Sequence, residues 1–595
     1  MTLDLEILAS GAAQLPENYL PAALPAFLGE PMGESYPLLP VPMLDPAEGD
    51  PVPRALTHVS GSGLADPAQV AQAMQDTQPR YIGPPMDAQH KGLGDLTFAR
   101  STPASKEQVT VLGLIDVGIA FWNAAFRDDS PLAGPSCFKD VGYLGFAPAG
   151  QGASGVQFLG ETALAEICQQ ADSDGHDRGI TARLGADYPH SAFGAHPVAG
   201  RLFHADGFNH GTAIADLMLN PLLDPALEPS GAMQVAPRSP IFGVELPQNV
   251  LLDASGETLQ AVLSLAIGNL ARRVFDWGCT AYPDKRLELR IVLPFAFTGS
   301  DMGGTHPVIE NIRRLVARAE TADFDIKVFL PAGNHMQDQL HARPGDPAAG
   351  AWSSPLRWAL VPDDHSANTV EITWQGASDA TLEIEGPPGR AQVDLDHGHV
   401  ARLISDGRTI GVLWCRDQGA GWTRLRISLG QTASDRPNGL RVPAGDWSLR
   451  LKPKSGGIEK LGAWILRDDR LRLDRRSPPT RQSQFLDTEY RPKDTNGHWK
   501  KSDDAASGVK RVGSISLLAE AQNADIIAVG AQERVSSGME TAWYGGMSAQ
   551  VGVPGRSESV DDLRPSSGIR ALVNGGARRM RFSGTSAAAA LAAVR

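Results

Sequence analysis

Four segments of this chain carry residue types that could perform nucleophilic chemistry. In FSGTSAAAA, Ser586 follows Gly584-Thr585 and leads into an alanine-rich stretch that reads as a helix. A serine at such a point has its own backbone N–H and the positive helix end facing any developing oxyanion. Taken alone, the pattern is more often a plain helix cap, because serine is a favoured N-cap. Three further segments change that weighting. Asp116 closes a strand-like run in Asp-Val-Gly, His210 opens a helical run in Asn-His-Gly-Thr, and Asn334 ends a strand in Pro-Ala-Gly-Asn. A serine nucleophile needs a neighbouring base, the base an orienting carboxylate, and the tetrahedral intermediate preorganised donors. One Asp, one His, one Asn and one Ser, each on its own segment, would fill those roles.

The elements that must position them alternate between strand and helix. VTVLGLID, ending on Asp116, is the short, nearly continuous apolar run of a buried parallel strand. HGTAIADLML places Ile214, Leu217 and Met218 at helical spacing. LRIVLPFAF (289–297) reads as another buried strand. A helical face of Val308, Ile309, Ile312, Leu315, Val316 and Ala319 follows, with Pro307 suited to its first turn. IKVFL (326–330) precedes PAGN. After about 510, Ile515, Leu517 and Leu518 read as helix, DIIAVGA (525–531) as buried strand and SAAAALAAV (586–594) as helix. This alternation predicts a parallel sheet with helices on both faces, and active groups of such sheets gather at the carboxyl ends of the strands.

Two regions break the pattern. Residues 1 to about 100 are loop-rich, with Pro31, Pro37, Pro40, Pro42, Pro46, Pro51 and Pro53 in one stretch; a pro-segment, a clamp or an arm would all fit. Between about 355 and 475 the apolar period becomes two, as in Val370/Ile372/Trp374 and Leu425/Ile427/Leu429, which predicts an inserted antiparallel β-sandwich. The expected divisions are therefore 1–100, 101–350, 355–475 and 510–595, the second and fourth forming one α/β domain.

The segments LIDVGI, HGTAIAD, PAGN and SGTSAAA, in that order, resemble the motifs of subtilisin-like serine peptidases (subtilases). VAPRSPIFGVEL (235–246), PFAFTG (294–299), IIAVGA and Pro554-Gly555 are similar to the segments between them. The resemblance covers about 100–345 and 510–595. It implies a mainly parallel, subtilisin-like α/β sheet flanked by helices, interrupted here by the β-sandwich. It also implies a serine endopeptidase in which Ser586 attacks, His210 is the base, Asp116 orients it, and Asn334 completes the oxyanion hole. Phe295, Ala296, Phe297, Thr298 and Gly299 would offer backbone edges to an extended peptide substrate. An α/β-hydrolase order is excluded, since no histidine follows His498 to serve as a base after Ser586; sedolisins lack the histidine altogether.

Some features depart from the family pattern. Val117 stands where Ser or Thr usually follows the Asp, removing a small hydrogen bond from that turn. Ala590 lies near the usual proline of the serine helix. The chain ends at Arg595, nine residues after Ser586, so a truncated C-terminus is expected.

Other signals bound the partners. With 54 Lys plus Arg against 68 Asp plus Glu, the net charge of −14 argues against a nucleic-acid or anionic-membrane surface. No apolar run approaches the ~18 residues of a membrane span. The N-terminus holds Asp4 and Glu6 but no Lys or Arg before Arg54, unlike a secretory signal, so the cytoplasm is the default compartment. Cys137, Cys168, Cys279 and Cys415 are expected as isolated thiols. Asp172, Asp174 and Asp177 suit either a solvated acidic loop or calcium; no cofactor is required and no zinc is expected at His190, His196 and His204. His397 and His399 are expected at the surface. Trp374, Trp414, Trp422, Trp447 and Trp464 read as core of the β-module, with a ligand surface as the other reading. A catalytically silent subtilase fold that binds through the β-sandwich is the competing functional expectation.

Overall fold

The computed structural model describes residues 3–9, 43–44, 51–52, 98–100, 107–127, 137–145, 155–174, 209–220, 239–246, 257–433, 441–468, 481–562, 568–572 and 579–595. The apolar run ending on Asp116 forms strand β1 (Gln108–Asp116), whose last six residues are all buried. Around it lie β2 (Phe138–Gly145), β3 (Gly155–Phe158), α1 (Gly160–Asp174), α2 (His210–Leu219) and β4 (Ile241–Glu245). Then come α3 (Glu257–Ala281), β5 (Arg286–Val292), α4 (Pro307–Glu320) and β6 (Phe324–Pro331). Helix α4 starts at Pro307, whose missing N–H costs nothing in a first turn, and His306 caps it by accepting from Val308 N–H. Strand β5 stops at Val292, so Leu293–Phe297, expected as strand, runs beyond it. Past the antiparallel region lie α5 (Leu517–Glu520), β7 (Ile526–Val535), β8 (Gly538–Thr541), β9 (Arg556–Asp562), β10 (Ile569–Leu572), β11 (Arg579–Phe582) and α6 (Thr585–Val594).

The central sheet has nine strands in the order β8-β7-β6-β5-β1-β4-β2-β3, with β9 also on β7. All its pairings are parallel except those of the outlying β8 and β3. Helices α3 and α4 pack on the face that includes Val111 and Ile115, whereas α2 and α6 pack on the face that includes Leu112 and Leu114. Side chains alternate along a strand, so Asp116 shares the face of Leu112 and Leu114 and is turned toward α2. Every residue of α6 from Ala587 to Ala593 is fully buried. A helix apolar on all sides belongs in a core, and alanine lets it lie close against the sheet.

The expectation of a mainly parallel architecture holds only for this sheet; the whole is a mixed α/β structure in which antiparallel sheets are prominent. One has seven strands, in the order Leu3–Ala9, Val400–Ser405, Arg408–Gly419, Trp422–Leu429, Asn368–Gly376, Ile458–Ile465 and His341–Ala342. The other has five: Gly389–Leu395, Ala380–Gly386, Gly445–Pro453, Leu356–Leu360 and Gln484–Leu486. The two share one apolar core. Strands Leu3–Ala9, His341–Ala342 and Gln484–Leu486 come from outside the 355–475 window. They cover ladder groups that would otherwise be open edges, a long-range demand that local periodicity does not reveal.

Trp374, Trp414 and Trp447 are fully buried and Trp422 nearly so, while Trp464 stacks on buried His341 at 4.8 Å. The first four rings are core, whereas Trp464 is half-buried. His397 and His399 are half-buried, and His397 Nε2 lies 2.9 Å from Thr423 Oγ1. None of the four cysteines forms a disulfide, and burial pushes the Cys415 thiol up to about 12. Among the described residues, no helix is long and apolar enough to cross a membrane.

Candidate active site

The first N–H groups of a helix have no partner inside it and must find one elsewhere. In α2 the N-cap Asn209 makes no side-chain cap bond. Instead Gly211 N–H donates to Val117 O at 2.9 Å and Thr212 N–H to Gly118 O at 3.0 Å. The Thr212 hydroxyl also donates to Gly118 O and accepts from Ala120 N–H. The turn after Asp116 therefore serves as the cap of α2, which places His210, first residue of the helix, beside Asp116. Glycine is needed at 211, since a Cβ there would lie 2.8 Å from Ile119 Cγ1 and 2.9 Å from Val117 O.

Asp116 is fully buried. Its Oδ1 accepts from Val117 N–H at 2.7 Å, and its Oδ2 lies 2.7 Å from His210 Nδ1. A carboxylate can only accept, so Nδ1 carries the proton and Nε2 is left as the basic nitrogen. Burial works against the charged imidazole, but the charge of Asp116 and its hydrogen bond outweigh it, raising the His210 pKa above 6.5. The ring is 29% exposed. It lies 5.5 Å from the ring of Phe582 and 6.5 Å from that of Phe295.

Ser586 is the second residue of α6, and its hydroxyl donates to Pro294 O at 2.9 Å, next to the Phe295 that flanks His210. Gly584, at φ +106°, turns the chain from β11 into the helix. Asn334, exposed beyond the end of β6, accepts on Oδ1 from both Thr585 N–H and the Thr585 hydroxyl, each at 3.0 Å. With Oδ1 so held, Nδ2 points to the Gly584 side, where a Cβ on that glycine would lie 3.1 Å from it. Gly333 N–H donates in turn to Thr585 Oγ1. Contacts thus run from Asp116 to His210, from His210 to Phe295 and Phe582, from Ser586 to Pro294, and from the residue before Ser586 to Asn334. A proton-accepting imidazole, a hydroxyl and an amide donor are the groups that acyl transfer employs.

Of the expected substrate edges, Phe297 is already engaged: its N–H donates to Ser516 Oγ and its carbonyl accepts from Leu517 N–H. It is not open to a peptide, because α5 needs a partner for its first turn. Phe295 and Ala296 are half-buried, and Thr298 and Gly299 buried. Helix α1 extends to Asp174, so Asp172 and Asp174 end a helix rather than sit in a loop; their side chains, Asp177, His190, His196 and His204 lie outside the described residues. Among the described residues, no group of three or more His, Cys, Asp or Glu side chains could hold a metal ion.

Three acidic groups near the site escape sequence reasoning. Glu245 accepts from the Gly118 and Ile119 amides, Asp216 on α2 accepts from Leu572 N–H and Arg579, and Glu371 accepts from Ser300 N–H, Arg424 and Arg426. Each is at most 1% exposed. The available signal was an acid inside an apolar run: IFGVEL, HGTAIADLML and TVEITW.

No protein-family model matches the chain, and no curated protein sequence matches it. A solved structure of the Clostridium perfringens CspB protease is similar over 82% of this chain and 80% of its own, with TM-score 0.52 and 14% identity. A Bacillus licheniformis lipase, BlEst2 in its propeptide form, aligns over 62% and 77% at 9% identity, but its TM-score of 0.17 carries no argument. What this chain has in common with the clostridial protease is the fold.

Proposed function

We propose that this chain is a serine endopeptidase of the subtilisin-like kind, acting on polypeptide substrates through Asp116, His210 and Ser586. The observation that carries the reading is the 2.7 Å Asp116–His210 pair, whose ring abuts Phe295 while the Ser586 hydroxyl is bonded to the adjacent Pro294 carbonyl. Ser586 leaves Pro294 O, gives its proton to His210 Nε2 and attacks the scissile carbonyl. Asp116 stabilises the imidazolium so formed, and His210 then returns the proton to the leaving amine. The oxyanion is received by Asn334 Nδ2 and the Ser586 backbone N–H, the latter aided by the positive end of α6. Likeness of fold to a protease supports the reading, and function must still be argued from the site.

The test is hydrolysis of a casein or peptide-library substrate together with labelling by a serine-reactive phosphonate. Turnover plus a single adduct on Ser586 is expected. Folded full-length protein that shows neither would overturn the proposal and favour a binding role for the antiparallel layer.

A further inference from the structure

Glu245 is a carboxylic acid in an otherwise apolar strand. It ends β4 on the rung beside Asp116 and is 1% exposed. Its Oε1 accepts from Gly118 N–H at 2.8 Å and its Oε2 from Ile119 N–H at 2.9 Å. These amides lie two and three residues after Asp116, in the turn whose carbonyls cap α2. The turn is thus gripped from both sides, by α2 through its carbonyls and by β4 through its amides. Val117 contributes no hydroxyl to it.

Two adjacent N–H donors call for two acceptor atoms. A carboxyl group provides them, whereas a carboxamide provides one and turns a donor toward the other amide. An apolar side chain at 245 would leave both buried amides without an acceptor, and such groups are seldom left unpaired. We infer that Glu245 is a positioning residue for the Asp116–His210 pair, clamping the Gly118 and Ile119 amides so that Asp116 meets His210 Nδ1 in a fixed geometry. Its consequence for turnover rests on the peptidase reading; the geometric part does not.

Other groups face this carboxyl. Asp116 of β1 and Tyr143 of β2 are both in register with it, one on either side, and α2 contributes His210 and Thr212 from beyond the turn. Burial pushes Glu245 up to about 8; the two amides pull against it, and the Asp116 charge pushes the same way as burial. It therefore changes charge in the range where a serine peptidase works. Once ionised, it places a second negative charge near the imidazole and favours the imidazolium.

The experiment compares full-length wild type with Glu245→Ala and Glu245→Gln, measuring kcat, KM and pH profile, melting temperature, and the downfield proton resonance of His210 Nδ1–H. Glu245→Ala should lower kcat about 10- to 100-fold, the scale of an ångström-level misplacement, with KM little changed. It should also move the Nδ1 resonance. Glu245→Gln should lose a smaller share of kcat and abolish an inflection near pH 8 in both the profile and the resonance. Folded variants with wild-type kcat, profile and resonance would overturn the clamp. Should the alanine variant not fold, the glutamine variant decides. If wild type neither cleaves nor labels, the peptidase reading fails alone, and the resonance in wild type and Glu245→Gln still judges the clamp.

Discussion

Arg579 donates to Asp216 at 2.5 Å across 363 residues of sequence, tying the helix that begins with His210 to the hairpin that precedes Ser586. Asp216 is fully buried and also accepts from Leu572 N–H, so both strands of the β10–β11 hairpin are attached to α2. The elements that carry the proposed base and nucleophile are thereby tied by one buried carboxyl group. Removing it leaves a backbone amide and a guanidinium without their acceptor. Asp216→Ala should destabilise the protein by about 3 kcal/mol, the lower end for a broken buried pair because Arg579 still reaches solvent. Chemical denaturation measures this, and an unchanged midpoint would refute the tie.

Ser586→Ala should reduce kcat by about 10⁶-fold while leaving KM nearly unchanged, since the hydroxyl acts on the bound substrate rather than in binding it. Steady-state kinetics on a peptide substrate checks both numbers.

Asn334 has two separable tasks. Its Oδ1 holds Thr585 at the start of α6, and its Nδ2 is the proposed oxyanion donor. Asn334→Asp keeps the acceptor and loses the donor, so it should cost about 10²–10³ in kcat, as for loss of an oxyanion-hole donor, with the melting temperature preserved. Asn334→Ala loses both, and should lower the melting temperature as well.

The raised His210 pKa predicts that kcat/KM climbs through its acid limb above pH 6.5, because the base acts only when neutral. Asp116→Asn removes the charge that raises it. That limb should then move down, with activity falling by about 10⁴-fold through loss of the productive tautomer. A pH–rate profile of both proteins decides.

Glu245 also links folding to pH. Its folded value of about 8 lies above the ordinary 4.5, so between these the folded state holds a proton the unfolded chain has released. Its contribution to stability is fully present below about 4.5, declines as pH rises toward 8 and is lost beyond. Denaturation midpoints of wild type relative to Glu245→Gln should fall between pH 5 and pH 8, then level off.

The sequence by itself determined the four chemistry-bearing segments and the elements that carry them. Each segment is local: an apolar run ending on Asp116, a helix starting at His210, a strand leading to Asn334, an alanine helix holding Ser586. Its period and end residues are readable within about ten positions. The period-two stretch likewise announced an antiparallel layer. Only the tertiary structure decided what holds these pieces together. The strand Leu3–Ala9 joins residues 400–405 nearly four hundred positions away, and Phe297, placed by resemblance among the open edges, is bound by Ser516 and Leu517. Glu245, Asp216 and Glu371 interrupt apolar runs, which hints at burial but names no partner; each is buried against amides or arginines remote in sequence. The reason is physical: periodicity records which way a side chain faces, whereas partners for a buried carboxyl group are chosen by strand order and helix docking, which no local pattern encodes.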